Sequence, residues 1–260
     1  MPRPMRTLIP RIKRSIEQRG LVASLLRSAT LPVHLFQEYR VAKALARDQQ
    51  RSDFDLKHGV ETDGDIGGWT YLSDLNIPST NWIYGRNYAA IEPQRFFWIL
   101  SSLEINFKDF VFVDFGSGKG RALLMASEFP FRRVVGVEFS PELHAIAQGN
   151  IRKYETRQQQ CKFVDSVCMD FVDFKLPLEP CVLFFFDPCE GKVLAHALEN
   201  IRRSLQERFR TIYLIYVAPR GDLLNSVGFL VKLTTNEEYK FSLYKNASLC
   251  ARDESPRPRI

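Results

Sequence analysis

The 260-residue chain has no apolar run near the roughly 20 residues that a membrane-spanning helix requires. It also lacks a secretory pattern, because Arg11, Lys13, Arg14, Glu17 and Arg19 interrupt any early apolar segment, so a cytoplasmic protein is expected. Cysteine is sparse. Cys161, Cys168, Cys181, Cys189 and Cys250 are odd in number and form no CxxC pair, which excludes the usual signatures of a zinc centre or a disulfide framework. They are expected as small buried apolar residues in a reducing compartment. His34, His58, His144 and His196 share no spacing, and no internal repeat is visible. Against these absences stands a composition of 45% hydrophobic and 25% charged residues, the balance of a globular chain with a large core.

An excess of positive charge is missing from most of the sequence. Residues 1–50 hold ten Lys/Arg against Glu17, Glu38 and Asp48, a local +7, whereas the whole chain carries +6, so the other 210 residues sum to −1. An enzyme of nucleic acids more often carries a basic stripe across its folded body, and this asymmetry counts against that class. Within the arm, Ile9, Ile12 and Ile16, then Leu21, Leu25 and Leu26, recur at roughly helical spacing, with Pro10 and Pro32 as breaks or first-turn positions. Such an arm could rest on an anionic membrane or an acidic partner, or pack on the core with a solvated basic face. Residues 51–92 read as an irregular lid or linker. Their stretch 58–68 (HGVETDGDIGG), with four glycines, is either a loose connection or a segment that orders over a ligand.

From residue 93 to about 250 helix and strand alternate. Phe96, Phe97, Leu100 and Leu103 mark a helix that leads into the strand Val111–Phe115, short, continuous and apolar as in a sheet covered on both faces. Further strands are expected at 134–138, 162–167, 181–186 and 211–217, separated by helices at 121–128, from Ser140-Pro141-Glu142, at 190–206 and at 220–226. The last two, at 229–234 and 239–244, are close enough that a hairpin must join them. The pattern predicts an α/β fold, a Rossmann-like doubly wound sheet, mainly parallel with an antiparallel C-terminal hairpin strand, an N-terminal helical arm at 1–50 and a flexible tail at 251–260.

The stretch Asp114-Phe115-Gly116-Ser117-Gly118-Lys119-Gly120 carries the chemistry. A strand feeding a glycine turn feeding a helix is expected to set unpaired backbone N–H groups over a crevice at the carboxyl end of the sheet. A dinucleotide site wants its third glycine at position 121, where this chain has Arg121. The acid at 114 suits a cationic amino-acid ligand better than a pyrophosphate. Glu138 ends the second strand, 24 residues after Asp114, where a carboxylate can accept from both ribose hydroxyls. Asp170 and Phe171 follow the third strand, offering an acceptor for an exocyclic amine beside an apolar wall.

In that order VFVDFGSGKGRALLMAS, VVGVEFSPELHAIAQGN, CMDFVDFKLP and LFFFDPCE resemble the motif series of class I S-adenosylmethionine-dependent methyltransferases, over about residues 105–245. The resemblance implies S-adenosyl-L-methionine as cofactor. Gly116, Ser117, Gly118 and Gly120 would line its methionine part, Asp114 would sit near its amino group, Glu138 would hold the ribose, and Asp170 with Phe171 the adenine. The segment Tyr88-Ala89-Ala90-Ile91-Glu92-Pro93 is more loosely similar to the seven-strand, non-SET protein-lysine methyltransferases, which makes Tyr88 and Glu92 candidate substrate residues.

Asp187 is the candidate acceptor-facing group, beside the plainer reading of an Asp-Pro turn that ends a strand. Enzymes that methylate adenine N6 usually place a second proline and an aromatic after that position, whereas here Cys189-Glu190 follow Pro188. A stacking platform for a flipped base is therefore missing. The expected acceptor is a protein side chain or a small molecule rather than nucleic acid. Two other readings compete: a non-catalytic S-adenosylmethionine-binding scaffold recruited through the arm, and a nicotinamide oxidoreductase, disfavoured by Arg121.

Overall fold

The computed structural model describes residues 52–65, 68–219 and 223–247. The arm at 1–50 and the tail at 251–260 lie outside them, as does Cys250. Seven strands form one sheet: β1 (Val111–Phe115), β2 (Arg133–Glu138), β3 (Val164–Cys168), β4 (Cys181–Phe186), β5 (Ile212–Val217), β6 (Leu230–Asn236) and β7 (Phe241–Asn246). Their order is β3-β2-β1-β4-β5-β7-β6. β1 to β5 pair in parallel, and β7 runs antiparallel between β5 and β6, so the expected single reversed strand is present. The fold is the doubly wound, Rossmann-like sheet that the element alternation predicts.

Alternation along β1 and β4 sends side chains to two apolar layers. Phe112 and Phe184 meet on one face, where Phe96 of helix α2 (Pro93–Ser101) packs edge-on against both. On the other face Phe115 stacks on Phe185 with centroids 4.6 Å apart, under helix α5 (Gly191–Glu207). Both strands are buried along their length except at Phe186, as strands covered by helices on both sides must be. Of the expected apolar face of α2, Phe96 and Leu100 are fully buried together with Ile99, whereas Phe97 is partly buried and Leu103 packs on the core just beyond the helix end.

The segment expected as a lid or linker is docked on this core. It opens with α1 (Asp53–His58), capped by the Ser52 hydroxyl on the Asp55 N–H and closed by Gly59 in the left-handed region at φ 65°. Phe54 and Val60 bury in the same layer as Phe96 and Phe112, so 52–65 shares the core of the domain that follows. Two 3-10 turns, Leu72–Asp74 and Thr80–Tyr84, precede α2.

Three boundaries differ from expectation for local reasons. The helix α3 (Arg121–Ala126) stops before Glu128, because Ser127 turns its hydroxyl back onto the Leu124 carbonyl. In the terminal hairpin the Asn236 side chain accepts from the Tyr239 N–H and Lys240 takes φ 46°, which holds the turn open until Phe241 pairs with Asn236. A register shift at Lys232/Thr234 marks a bulge in β6, whose middle is exposed. The helix expected from Ser140 is α4 (Pro141–Lys153), and the one expected at 220–226 is described from Leu223 to Ser226 as α6. Of the cysteines, Cys161, Cys181 and Cys189 are buried as expected, but Cys168 is exposed because β3 is an edge strand. No helix among the described residues is long and apolar enough to cross a membrane.

Candidate functional site

Chain order reverses between β1 and β4, with β2 and β3 on one side and β5 on the other, so a crevice opens where their carboxyl ends diverge. It is a narrow crevice, open to solvent at its mouth. Its lining gathers the ends of four strands: Gly116 after β1, Glu138 and Phe139 at β2, Asp170 and Phe171 after β3, and Phe186 to Cys189 at β4. The docked segment closes the remaining side with Asn81 and the stretch Gly85 to Ala89.

The glycine turn is built differently from expectation. The N–H groups of Gly116 and Ser117 both donate to the Val137 carbonyl, at 2.9 and 3.2 Å, and Gly120 N–H donates to Ser117 O. Gly118 N–H donates to Glu138 Oε2 at 2.8 Å. These amides are thus consumed by β2 and by the turn itself, and no nest remains among them for a pyrophosphate. Gly116, Gly118 and Gly120 all need the left-handed region, with φ 80°, 55° and 87°. A Cβ on Gly116 would meet Pro188, and one on Gly118 would overlap the Tyr88 ring. A side chain at 118 would therefore displace Tyr88 first.

Glu138 is 2% exposed and accepts from Gly118 N–H and Ser140 N–H, one on each oxygen, both at 2.8 Å. Burial pushes its carboxyl up to about 7 against the pull of those N–H groups. Asp114 lies one layer deeper, in register with Gly136, below the crevice rather than on its surface. Burial and then the charge of Glu138 raise it to about 8. Two neighbouring carboxyls that hold protons near neutrality suit a ligand that brings a cation.

These raised values fix a sign. In the unfolded chain both groups lose their protons near their ordinary values of 3.8 and 4.5, whereas the folded protein keeps them to about 8 and 7. Between about pH 4 and 8 the folded state therefore holds more protons, and the pair's contribution to stability falls as pH rises. The Tm of the ligand-free wild type should drop from pH 6 to pH 8.5, as the unfolding free energy falls by up to about 1.4 kcal/mol per pH unit for each group. Asp114→Asn should flatten that profile. An identical slope in the variant would remove Asp114 from the account.

The remaining sequence candidates divide. Asp170 takes three bonds, from Val172 N–H, Ser79 Oγ at 2.6 Å and Asn81 Nδ2 at 2.8 Å, and so ties the Thr80–Tyr84 turn to the end of β3. Phe171 lines the crevice, edge-on to Phe115. Asp187 lies at φ 40°, outside the usual range for a non-glycine residue, with Arg86 Nε 3.6 Å from its Oδ2. Tyr88 is in the lining, where burial pushes its phenol up and keeps it a neutral donor. Five candidates do not line the crevice: Asp114 lies below it, Gly118 is covered by the Tyr88 ring, Gly120 faces Ala147, and Ser117 and Glu92 are directed elsewhere. Ser117 turns its hydroxyl into the space above Gly136, where that glycine has no side chain, and so faces β2 rather than the crevice. Glu92 is exposed at the start of α2 and is absent from the lining, because Pro93 already directs the chain into the helix.

Several working residues escaped the sequence reading. Lys119 is 1% exposed, with Nζ 2.6 Å from the Asp63 carbonyl and 2.9 Å from Asp65 Oδ1. Arg121, equally buried, donates through Nε to Thr62 Oγ1 and through Nη2 to Asp63, Asp55 and Ser52. Burial opposes ionisation of Asp63, but the Ser52 N–H and the Arg121 guanidinium hold its carboxyl below the usual range. A signal was present: acids alternate at 61, 63 and 65, and cations alternate at 119 and 121 across Gly120. Arg86 was also missed. It pairs with Glu190 as well as Asp187, beside the short bridge of Gly85 to Cys189.

No family model matches the chain, and no curated protein does. Solved structures share its shape loosely. An RNA methyltransferase from Salinibacter ruber in complex with S-adenosyl-L-homocysteine is 18% identical, over 61% of this chain and 92% of its own, with a TM-score of 0.40. A dimethyladenosine transferase from Plasmodium falciparum is 11% identical over 60% and 61%, with a TM-score of 0.42. The methyltransferase domain of a bacterial Hen1 is 12% identical over 60% and 98%, also at 0.42. The chemistry of the crevice has to be read from its own residues, and these describe a Rossmann-like switch-point site with Glu138 at the end of β2, Asp170 past β3 and Asp187 past β4.

Proposed function

We propose that the protein is an S-adenosylmethionine-dependent methyltransferase acting on a protein side chain or a small molecule. One observation carries the reading: the Glu138 carboxylate stands at the end of β2, bonded to the Gly118 N–H of the turn after β1, inside the switch-point crevice. That geometry offers a carboxylate for ribose hydroxyls while leaving no amide nest for a pyrophosphate, which disfavours a dinucleotide.

The lining offers partners for the parts of this cofactor. Phe171 gives an apolar wall for the adenine, and Asp170 retains lone pairs for its amine beside the three bonds already made. Glu138 would take the ribose, and Gly116, with no side chain, lets the ligand lie against the turn. Asp114 lies one layer below the lining, from where its charge would favour an α-ammonium without touching it. The cofactor supplies an activated methyl on a sulfonium with its leaving group built in. The protein then has to align the acceptor with the methyl–sulfur axis and keep water out. Asp187, set at the mouth of β4 by its left-handed backbone and flanked by Arg86, is the group placed to orient an acceptor or take its proton.

The purified protein should bind S-adenosylhomocysteine in a calorimeter. Labelled S-adenosylmethionine incubated with fractionated cell extract should deliver its methyl to the protein or small-molecule fraction. Absence of binding would remove the cofactor. Label confined to nucleic acid would keep the chemistry and overturn the acceptor class.

A further inference from the structure

Tyr88 is held from three directions. Its backbone N–H and carbonyl pair with Thr70 at 3.0 and 2.9 Å, and its hydroxyl donates to the Thr62 carbonyl at 2.5 Å. The ring rests on Gly118, so closely that a Cβ there would overlap its Cδ2 and Cε2 atoms. Thr62 in turn belongs to the strap 52–65, which is fastened to the glycine turn rather than laid over it. Arg121 Nε donates to Thr62 Oγ1 at 2.6 Å, and Lys119 Nζ reaches Asp63 O and Asp65 Oδ1. Asn150 donates to the carbonyls of Glu61 and Lys119 together, and accepts from the Glu61 N–H. The cations that position Tyr88 thus come from the same turn that its ring covers.

A ligand with its base at Phe171 and its ribose at Glu138 must extend past Gly116, toward Tyr88, Asp187 and Pro188. Whatever occupies that end meets an aromatic wall whose hydroxyl is engaged elsewhere. Aromatic surface favours a cation such as an ammonium or a sulfonium. We infer that Tyr88, positioned through the strap by Lys119 and Arg121, recognises the amino-acid end of the cofactor and sets selectivity for it over nucleosides that lack this part. The inference rests on the proposed cofactor and reassigns Tyr88 from acceptor to cofactor. Lys119 and Arg121 are positioning residues: Arg121 acts through Thr62, and Lys119 acts through Asp63 and Asp65 and also directly, with Nζ 6.0 Å from the Tyr88 ring centroid.

The test compares two ligands in calorimetry: S-adenosylhomocysteine, and 5′-methylthioadenosine, which keeps the base, ribose and thioether but has no amino-acid part. Tyr88→Leu should weaken the first about tenfold and change the second less than about twofold, where tenfold corresponds to 1.4 kcal/mol. Tyr88→Phe, which keeps the ring and loses the bond to Thr62, should show the same split at smaller size. Lys119→Gln should reproduce it without altering the crevice lining. A parallel loss of both ligands would mean a structural role and overturn the inference, as would unchanged S-adenosylhomocysteine affinity in all three variants. Wild-type protein that binds neither ligand would overturn the cofactor assignment itself, and the inference with it.

Discussion

Glu138→Ala should weaken S-adenosylhomocysteine binding about tenfold to hundredfold, since hydrogen bonds to a charged partner contribute about 1.5–3 kcal/mol. It should also destabilise the ligand-free protein, an effect that a carboxylate serving the ribose alone would not have. Two backbone N–H groups, of Gly118 and Ser140, end on this side chain inside a buried site. Leaving buried donors unpaired costs about 1–3 kcal/mol each. The loss should shrink as pH rises. A carboxyl held at about 7 by burial becomes an unwelcome charge above that value, and its removal also relieves Asp114. Calorimetric affinity and Tm at pH 6 and 8.5 measure both effects. Unchanged affinity would place the crevice's ligand elsewhere, and unchanged stability would mean that the turn finds other acceptors.

Arg121→Met should be strongly destabilising although it lies outside the crevice lining. The guanidinium is 3% exposed and faces Asp55, 1% exposed, with Asp63 on its other side. Removing one partner of a buried ion pair strands the other charge, at a cost of about 3–5 kcal/mol. Methionine retains the volume beside Phe54, over whose ring the guanidinium lies at 5.1 Å, so lost packing is a minor part. For a domain of this size the Tm should fall by about 6–20 °C. Added salt should alter this little, because the pair is shielded from solvent. A fall of no more than a few degrees would show that Asp55 and Asp63 find water once the cation is gone.

The sheet was legible because its strands are short and its central ones, β1, β4 and β5, are apolar and followed by turn signals. β1 and β4 were placed to the residue by continuous runs such as Cys181 to Phe186, which a strand buried on both faces requires. The hairpin ends were blurred because Lys240 in the left-handed region has no composition signal. Glu138, Asp170 and Phe171 could be found from spacing, since a switch-point crevice always receives the residues at strand ends. Ser117 could not be excluded in the same way. Alternation says nothing about a turn, and its hydroxyl is directed by the missing side chain of Gly136, 19 residues away. Lys119 and Arg121 were read as neighbours of a motif, because pairing with a segment some 60 residues earlier is a tertiary event. The docked strap was ambiguous from composition for that reason: its acids mean nothing until their buried cations are located.

The bulge in β6 has a consequence for behaviour at high concentration. β6 is the outermost strand of the described sheet, with Val231 and Leu233 both half exposed. A flat apolar edge of that kind is a template for pairing with another molecule. The register shift at Lys232/Thr234 breaks the even ladder that an incoming strand would need, and Lys232 puts a charge at the break. The irregularity thus acts as a guard against self-association, and straightening it would be expected to yield a protein that folds but does not stay dispersed.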